Sequence, residues 1–269
     1  MKVQVFINPK AISVNDRAFN YGDGLFETIL VKEGNPLFLD DHISRLYKGC
    51  KILQIPIPSK KLIKDSVIKS IGRSKNCVVK VLYSRGISEH GYNYNKNIEP
   101  NLYIIKKKNS SLDTKQFISL GFSKYKLWDN PCLSQIKHLN RLEQILAINS
   151  IKNKKYDSYI LLNKTNNIIE CISSNIFFYT VANTRYNFYT PNLCNSGVDG
   201  IIKKMIMRSM KRKKINIHEV PINKNDIKNY NGCFICNSVT GVQFVKKIVN
   251  ISFEHSKELE SILSDFIYE

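Results

Sequence analysis

The chain has 269 residues, of which 43% are hydrophobic and 23% are charged, with 12 glycines and 8 prolines. This length suits one large domain or two modest ones, and the composition excludes collagen-like and largely disordered chains. No apolar run approaches the roughly 18 residues of a membrane-spanning helix. The first residues alternate as in a strand and lack the apolar core of a signal peptide. We therefore expect a cytoplasmic globular protein without a membrane partner.

The charge is strongly basic, with 41 Lys and Arg residues against 22 Asp and Glu residues and a net charge of +19. Such a surplus occurs in nucleic-acid-binding proteins, but here the basic residues are spread along the whole chain. The densest cluster, MKRKKI at 210–215, ends a segment with helical apolar spacing and is typical of a solvated helix face. No nucleic-acid partner is expected. Salt-sensitive DNA binding would identify that alternative.

The seven cysteines are odd in number and mostly isolated, which indicates reduced thiols rather than a disulfide framework. Only Cys233 and Cys236 form a CxxC pattern, and they lie in GCFICNSV, an expected buried strand. Positions three apart in a strand face opposite sides of the sheet. No second CxxC and no histidine pair completes a zinc site, so no metal is expected.

The first hundred residues predict a small domain of strands and helices. Period-two alternation predicts strands, and apolar spacing of three to four residues predicts helices. Asp40 is the expected N-cap of the first long helix. The predicted elements are strands at 3–7 and 27–32, a turn at 33–36, helices at 40–53 and 59–70, and strands at 77–84 and 102–105. Together they indicate a small α+β domain.

The polar stretch KKKNSSLDTK at 106–115 has no periodicity and is the best linker candidate. It divides the chain into an N-terminal domain at 1–108, a linker at 109–116 and a C-terminal domain at 117–269. The C-terminal domain is predicted to be β-rich. Its expected elements are a strand at 117–122, a helix at 139–150, hairpin-linked strands in YDSYILLN, NIIE and SNIFFYT, a helix after GVDG, strands in NIHEVPI, CFICN and GVQFVKKI, and a helix at 257–267.

Three segments carry candidate chemistry. Lys137 falls at the start of the helix predicted from IKHLNRLEQI, where desolvation and the helix dipole can remove its charge, as a Schiff-base lysine requires. Glu170 interrupts an apolar strand pair, and NSGVDGI at 195–201 opens a helix with the free amides that bind phosphate. Spacing alone leaves the structural alternatives open. Lys137 could be a solvated lysine, Glu170 a carboxylate at the sheet rim, and 195–201 an ordinary helix start. A lysine, a carboxylate and a phosphate loop are the groups that pyridoxal phosphate requires.

Five motifs in a fixed order then carry a resemblance. They are DRAFNYGDGLFETI at 16–29, DHISRL at 41–46, IKHLNRLEQ, IECISSN and NSGVDGI. On these motifs the chain resembles the class IV aminotransferases, which are pyridoxal-phosphate enzymes of fold type IV, over nearly its whole length. Within that family it is most similar to the aminodeoxychorismate lyases. The resemblance implies a two-domain α+β fold, a small N-terminal α/β domain, a larger β-rich C-terminal domain, and a homodimer with pyridoxal 5'-phosphate between the domains.

The resemblance also implies roles for the residues around the cofactor. Lys137 matches the imine-forming lysine, Glu170 matches the carboxylate that pairs with the pyridine nitrogen, and Arg45 matches the arginine that anchors the phosphate. Arg45 stands off the apolar stripe of its predicted helix, where a surface arginine would also stand. Asn175 matches a supporting position. The further phosphate contacts implied are the backbone at Gly200 and Ile201, with Asn237 and Ser238.

The same resemblance implies a small-molecule substrate and residues that handle it. Tyr21 and Arg85 match positions where the family meets substrate, His90 is the candidate replacement for a substrate-binding donor, and Thr28 matches a threonine implicated in proton handling. The implied reaction converts 4-amino-4-deoxychorismate to 4-aminobenzoate and pyruvate, a step of folate biosynthesis. Residues 88–90, Ser-Glu-His, stand where related lyases often have Gly-Gly-Arg. The alternative is a transaminase of the same fold that acts on D-amino acids or branched-chain amino acids; HLNRL after Lys137 disfavours the branched-chain enzymes.

Overall fold

A computed structural model of the chain describes residues 2–89, 91–108, 115–151, 155–183, 185–254 and 257–268, with side chains up to residue 263. The chain divides into two compact units. The first consists of Met1–Leu112 and Ile136–Arg141, and the second of Asp113–Gln135 and Leu142–Glu269. The segment Ile136–Arg141 therefore belongs with the N-terminal residues rather than with the C-terminal domain to which the sequence assigned it. The linker at 109–116 stays a prediction, because residues 109–114 lie outside the described residues.

The first unit is a mixed sheet covered by helices. Its elements are β1 (Gln4–Ile7), α1 (Arg17–Tyr21), β2 (Gly24–Lys32), β3 (Asn35–Pro36), α2 (Leu39–Leu53), α3 (Lys60–Ile71), β4 (Cys77–Ser84) and β5 (Asn101–Lys108). The strand order is β1-β5-β4-β2-β3, in which β1 runs parallel to β5 and the other neighbours are antiparallel. The strands and the two long helices that the sequence predicted here are confirmed.

Local sequence explains where these elements begin and end. Ser59 caps α3 by accepting a hydrogen bond from the Leu62 amide at 3.1 Å. Glu33 and Gly34 have φ of 52° and 82°, which is the backbone of the tight hairpin turn that the sequence predicted. Asp40 is not the N-cap of α2, because the helix begins at Leu39 after Phe38; Asp40 lies in the first turn and pairs with Lys60 and Lys64.

Strand β2 presents two different faces. Leu25, Glu27, Ile29 and Val31 alternate along it and are all buried. Helix α2 packs against this strand. The half-buried residues Phe26, Thr28 and Leu30 occupy the opposite face. Neighbouring residues of β2 therefore lie on opposite faces of the sheet, with Glu27 on the buried face and Phe26 and Thr28 on the other.

The second unit contains a larger sheet. Its elements are β6 (Phe117–Lys126), α4 (Leu142–Asn149), β7 (Ser158–Leu162), β8 (Ile168–Cys171), β9 (Asn175–Ala182), β10 (Arg185–Pro191), α5 (Ile201–Arg212), β11 (Asn216–Val220), a short 3₁₀ helix (Lys224–Asn229), β12 (Gly232–Asn237), β13 (Gly241–Ile248), β14 (Ile251–Ser252) and α6 (Lys257–Tyr268). The strand order is β11-β10-β9-β12-β13-β6-β7-β8, and β14 pairs with β13. This β-rich unit matches the prediction.

The central strands of this sheet form the core of the second unit. Phe177 and Phe234 stack with ring centroids 4.9 Å apart and are fully buried. Cys233 and Cys236 are also buried in β12, as predicted. No group of metal-ligating side chains occurs in the part of the chain that the structure describes. Within the same residues, no helix has both the length and the apolar character needed to cross a bilayer.

The helix predicted over 139–150 is shorter than expected and begins at Leu142. Before it, the Leu139 amide donates to the carbonyl of Gly24 at 3.0 Å, and the carbonyl of Lys137 accepts from the Phe26 amide at 2.9 Å. These bonds hold residues 137–139 extended beside β2. Placing Lys137 at a helix start was therefore wrong, and no helix dipole acts on it from that position.

Candidate active site

Lys137 lies against an aromatic ring in the first unit. Its Nζ is 4.3 Å from the centroid of the Phe26 ring, a cation–π distance. Phe26 shares its strand face with Thr28, since side chains alternate along β2. Two sequence-predicted residues, Lys137 and Thr28, are thus brought to the same face of one strand.

Two further cations surround the same ring. Lys80 Nζ lies 5.1 Å and the Arg141 guanidinium 5.7 Å from the Phe26 centroid. Lys80 is the ladder partner of Thr28 on β4, and its burial, together with the neighbouring charge of Lys107, lowers its pKa. Lys80 was not predicted from the sequence. A lysine inside the apolar run CVVKVLYS was the available signal, because a charge in a buried strand is costly without a reason.

His138, next to Lys137, is held neutral at pH 7. Its burial and the charges of Arg141 and Lys137 lower its pKa to about 4. Its Nδ1 is buried without a hydrogen-bond partner in the described residues. The imidazole next to Lys137 therefore contributes no second positive charge at pH 7.

Arg45 lies on the other face of β2, in a buried ion pair. Its Nε donates to Glu27 Oε1 at 2.8 Å, its Nη2 donates to Glu27 Oε2, and His42 Nδ1 is 2.7 Å from the same Oε2. Burial raises the pKa of Glu27, but Arg45 and His42 outweigh it and lower the pKa to about 2. Arg45 is 5% exposed, so the surface position considered from its helix stripe is excluded. Glu27 and His42 were not predicted from the sequence, although Glu27 alternates with the apolar residues Leu25, Ile29 and Val31 on the buried face of β2.

The predicted substrate residues differ in their surroundings. Tyr21 ends α1, and its ring centroid lies 5.4 Å from that of Tyr92. Arg85 is buried and donates to the carboxylate of Asp23 from Nε at 2.7 Å, and also to the carbonyls of Leu53 and Gln54. His90 lies outside the described residues.

In the second unit Glu170 is a buried carboxylate on β8. It is 5% exposed, which excludes the rim position considered from sequence. Its Oε2 accepts from the Val198 amide at 2.8 Å, and the Val198 carbonyl accepts from Asn175 Nδ2 at 2.9 Å. Gly197 is required beside it, because its φ is +91° and a Cβ there would lie 2.9 Å from Ile169 and 3.3 Å from Glu170 Oε2. The loop before α5 therefore brings Glu170 and Asn175 together.

The start of α5 has the features of an anion site. Gly200 occupies the N-cap position and has no side chain to accept from the amides of the first turn, which begins at Ile201. A Cβ at Gly200 would lie 1.9 Å from Asn175 Oδ1. Only glycine therefore allows Asn175 to approach this helix end, where amides and dipole favour negative charge.

The turn after β12 lies beside the same residues. Asn237 Oδ1 accepts from the amides of Val239 and Thr240, both at 2.8 Å, and Asn237 Nδ2 donates to Ser174 Oγ at 2.9 Å. Asn237 therefore shapes the turn in which Ser238 lies. Because Asn175 pairs with Cys236 across β9 and β12, this turn, Asn175 and the start of α5 form one cluster, here called the anion cup.

The anion cup fits the phosphate of pyridoxal phosphate. Ser196 Oγ and Thr240 Oγ1 are buried polar atoms without a hydrogen-bond partner in the described residues. One precedes α5 and the other belongs to the Asn237 turn. Buried hydroxyls are normally hydrogen-bonded, and a phosphate provides acceptor oxygens for hydroxyls and for helix amides alike. The buried carboxylate of Glu170, joined to the cup through Val198, suits a protonated ring nitrogen.

Comparison with known proteins agrees with this chemistry. Residues 24–248 match the family described as Amino-transferase class IV. The chain is 27% identical over 243 residues to the aminodeoxychorismate lyase of Vibrio harveyi, covering 88% of this chain and 87% of that protein. It is 26% identical over 228 residues to a putative branched-chain-amino-acid aminotransferase of Methanocaldococcus jannaschii, covering 83% and 78%. The crystal structure of 4-amino-4-deoxychorismate lyase from Pseudomonas aeruginosa superposes with a TM-score of 0.88 at 24% identity, covering 96% and 94%.

Proposed function

Because this chain belongs to the class IV aminotransferases, a pyridoxal-phosphate family with the α+β fold of type IV, we propose that it is a lyase which converts 4-amino-4-deoxychorismate to 4-aminobenzoate and pyruvate. The observation that carries the proposal is the position of Lys137. Its Nζ stands 4.3 Å from the Phe26 ring, on the strand face that presents the Thr28 hydroxyl. A base and a hydroxyl on one face suit a reaction that removes one proton and delivers another.

Each residue of the proposal has one task toward the cofactor. Pyridoxal phosphate, when bound, supplies an electron sink to the carbon that bears the substrate amine. Lys137 is proposed to hold it covalently. The Glu170 carboxylate keeps the ring nitrogen protonated, while the anion cup, with Gly200, Ile201, Asn237 and Ser238, holds the phosphate. Arg45 is proposed as a phosphate residue on the resemblance alone, because its guanidinium is paired with Glu27 on the other face of β2.

The proton movements follow from the substrate. Once the substrate amine has displaced Lys137 from the cofactor, the freed Nζ would remove the proton from the ring carbon that bears the amine, the bond between the ring and the enolpyruvyl oxygen would break, and the ring would become aromatic. Enolpyruvate leaves and takes up one proton to become pyruvate, so no water or further reactant is consumed. Thr28 is proposed to relay that proton. Aromatisation favours the products, so the protein mainly positions the groups.

Substrate contacts are proposed for Tyr21 and for the loop that follows Arg85. His90, the candidate replacement for a carboxylate-binding arginine, lies outside the described residues. Since Arg85 donates to Asp23, Leu53 and Gln54, its contribution to substrate binding is proposed to be indirect.

A homodimer and a cytoplasmic location are part of the proposal. The exposed side of α4 supports the dimer. Leu142 is 72% exposed and Ile145 49%, whereas Gln144 and Ala147 face inward. Trp128, whose amide donates to Glu143 of this helix at 2.6 Å, is 81% exposed. An apolar face of this kind suits a second copy of the chain, and sedimentation of the wild type against Leu142→Glu tests it.

Product analysis of the cofactor-loaded enzyme tests the function. 4-Amino-4-deoxychorismate is expected to yield 4-aminobenzoate and pyruvate in equal amounts. D-Alanine or a branched-chain amino acid, each with 2-oxoglutarate, is expected to yield no glutamate. Glutamate without 4-aminobenzoate would replace the lyase by the transaminase that the Methanocaldococcus jannaschii relative suggests. The matched control is Lys137→Ala, which should form neither product.

A further inference from the structure

Three residues of the opening motif, Asp16, Arg17 and Asp23, have no part in the function proposed above, yet the first is fully buried and the other two are largely so. Asp16 caps α1, and its carboxylate accepts from the Ala18 amide, Ser84, Asn101 and Tyr103. The Arg17 amide donates to the Gly86 carbonyl at 2.9 Å. Helix α1 is therefore fixed beside the chain segment that leaves β4 after Arg85.

The Arg17 side chain donates hydrogen bonds to three consecutive backbone carbonyls of that segment. Nη1 donates to Gly91 at 2.7 Å and to Asn93 at 3.0 Å, and Nη2 donates to Tyr92 at 3.0 Å. Its Nε donates to Asp23 Oδ2 at 2.8 Å. Arg17 is 4% exposed. Only a planar guanidinium offers donors in this fork, because an ammonium group presents three donors in a compact tetrahedral arrangement.

A second arginine completes the arrangement. Arg85 shares Asp23 Oδ2 with Arg17, at 2.7 Å from its own Nε. The Tyr94 ring contacts both guanidinium groups, with its centroid 5.3 Å from Arg17 and 4.3 Å from Arg85. Cation–π contacts at partly buried rings are individually modest, but here they add to the hydrogen bonds that the same two cations donate. Arg17, Asp23, Arg85 and Tyr94 are here called the arginine clamp.

We propose that the arginine clamp is the positioning device for substrate recognition, and that it holds residues 91–94 in the conformation that binds the carboxylates of an anionic substrate. This inference rests on the proposed function. Arg17 then acts on substrate affinity without touching substrate, and Arg85, expected from the resemblance to meet substrate directly, acts through the clamp. The preceding residues 88–90 lack the expected arginine, so the affinity for carboxylates depends all the more on how this segment is placed.

Arg17→Lys tests the clamp because it keeps the charge and removes the fork. Hydrogen exchange of the cofactor-loaded, substrate-free enzyme should become faster at the amides of 91–94 than in the wild type. KM should rise by about tenfold, the loss expected for one charge-assisted hydrogen bond, with kcat changed less. The cofactor absorbance should be unchanged. Arg73→Lys, at an exposed arginine of the same unit, is the matched control and should alter none of these.

Tyr94→Leu provides a second variant that leaves both arginines in place, with Tyr125→Leu, at an exposed tyrosine outside the clamp, as its control. Faster exchange and a raised KM in Tyr94→Leu, but not in Tyr125→Leu, support the clamp even where Arg17→Lys fails to fold. Unchanged exchange and unchanged KM in the folded variants overturn it. The exchange measurement needs no substrate. The wild type tests the two proposals separately. If it makes no 4-aminobenzoate, but exchange at 91–94 and the KM for a transaminase substrate still depend on the clamp residues, only the lyase proposal is wrong.

Discussion

Arg45 and Glu27 form a two-point ion pair inside the first unit, with Arg45 Nε and Nη2 each donating to one oxygen of the Glu27 carboxylate. Both side chains are buried, at 5% and 3% exposure. A pair of this kind stabilises the fold only because each charge satisfies the other, since desolvation opposes both. The residue proposed to carry positive charge toward the phosphate is therefore held by a carboxylate from a neighbouring strand.

Glu27→Gln should lower the free energy of unfolding by about 3–5 kcal/mol, because it leaves Arg45 charged and buried without its partner. Urea unfolding at pH 7 measures this, with Glu33→Gln in the exposed turn as the matched control. The folded-state pKa of Glu27 is about 2, below its ordinary value of 4.5. Its stabilisation is thus complete above pH 4.5 and is lost as the pH falls from 4.5 to 2. Equal stability of the two variants would contradict this assignment.

Lys137→Ala should abolish covalent attachment of the cofactor and lower turnover by more than the roughly 10²–10⁴ that general acid–base catalysis alone contributes. The measurement is borohydride reduction of the loaded wild type followed by peptide mapping, which should place the pyridoxyl group on Lys137. Lys80→Ala is the control, because Lys80 lies 5.1 Å from the same Phe26 ring. It should leave the label on Lys137. A label on Lys80 in the wild type would reverse the assignment.

Glu170→Gln and Gly200→Ala should fail in different ways. In Glu170→Gln the new amide oxygen can still accept from Val198 but cannot hold the ring nitrogen protonated, so kcat should fall by about 10²–10³ with cofactor affinity nearly unchanged. In Gly200→Ala the new Cβ collides with Asn175 Oδ1, 1.9 Å away, so cofactor affinity should fall. Titration with pyridoxal phosphate checks both. Excess cofactor that restores Glu170→Gln but not Gly200→Ala would mean that the two roles are exchanged.

Sequence patterns predicted most elements of the fold because local chemistry determines them. Ser59 caps α3, and the alternation of β2 fixes which of its residues are buried. The helix after Lys137 was placed too early, since LNRLEQ favours a helix while the backbone of Leu139 bonds to Gly24, far earlier in the chain. Tertiary hydrogen bonds of this kind leave no local pattern.

The candidate site also contains residues that local motifs predict and residues that they do not. Lys137, Glu170 and Gly200 were predicted from motifs, whereas Glu27 and Arg17 were not, because each contacts a partner distant in sequence. Glu27 pairs with Arg45, 18 positions away, and Arg17 bonds to carbonyls 74 to 76 positions away. Of these two residues only Glu27 left a signal in the sequence, as a charge at a position of β2 that alternates with buried apolar residues.

Thr28→Val separates the proton relay from simple strand packing. Valine keeps the branched shape of threonine and its β propensity but removes the hydroxyl, the group of this side chain that can donate and accept a proton. Thr28 is half-buried on the face of β2 that carries Phe26, and its ladder partner is Lys80. A relay therefore predicts that 4-aminobenzoate forms more slowly by about 10²-fold, the lower range for proton-transfer catalysis, while cofactor absorbance and Tm stay nearly constant. Thr28→Ser, which restores the hydroxyl, should recover most of the rate. Full lyase activity in Thr28→Val would leave Thr28 as a packing residue of β2 and assign the proton delivery to Lys137 alone.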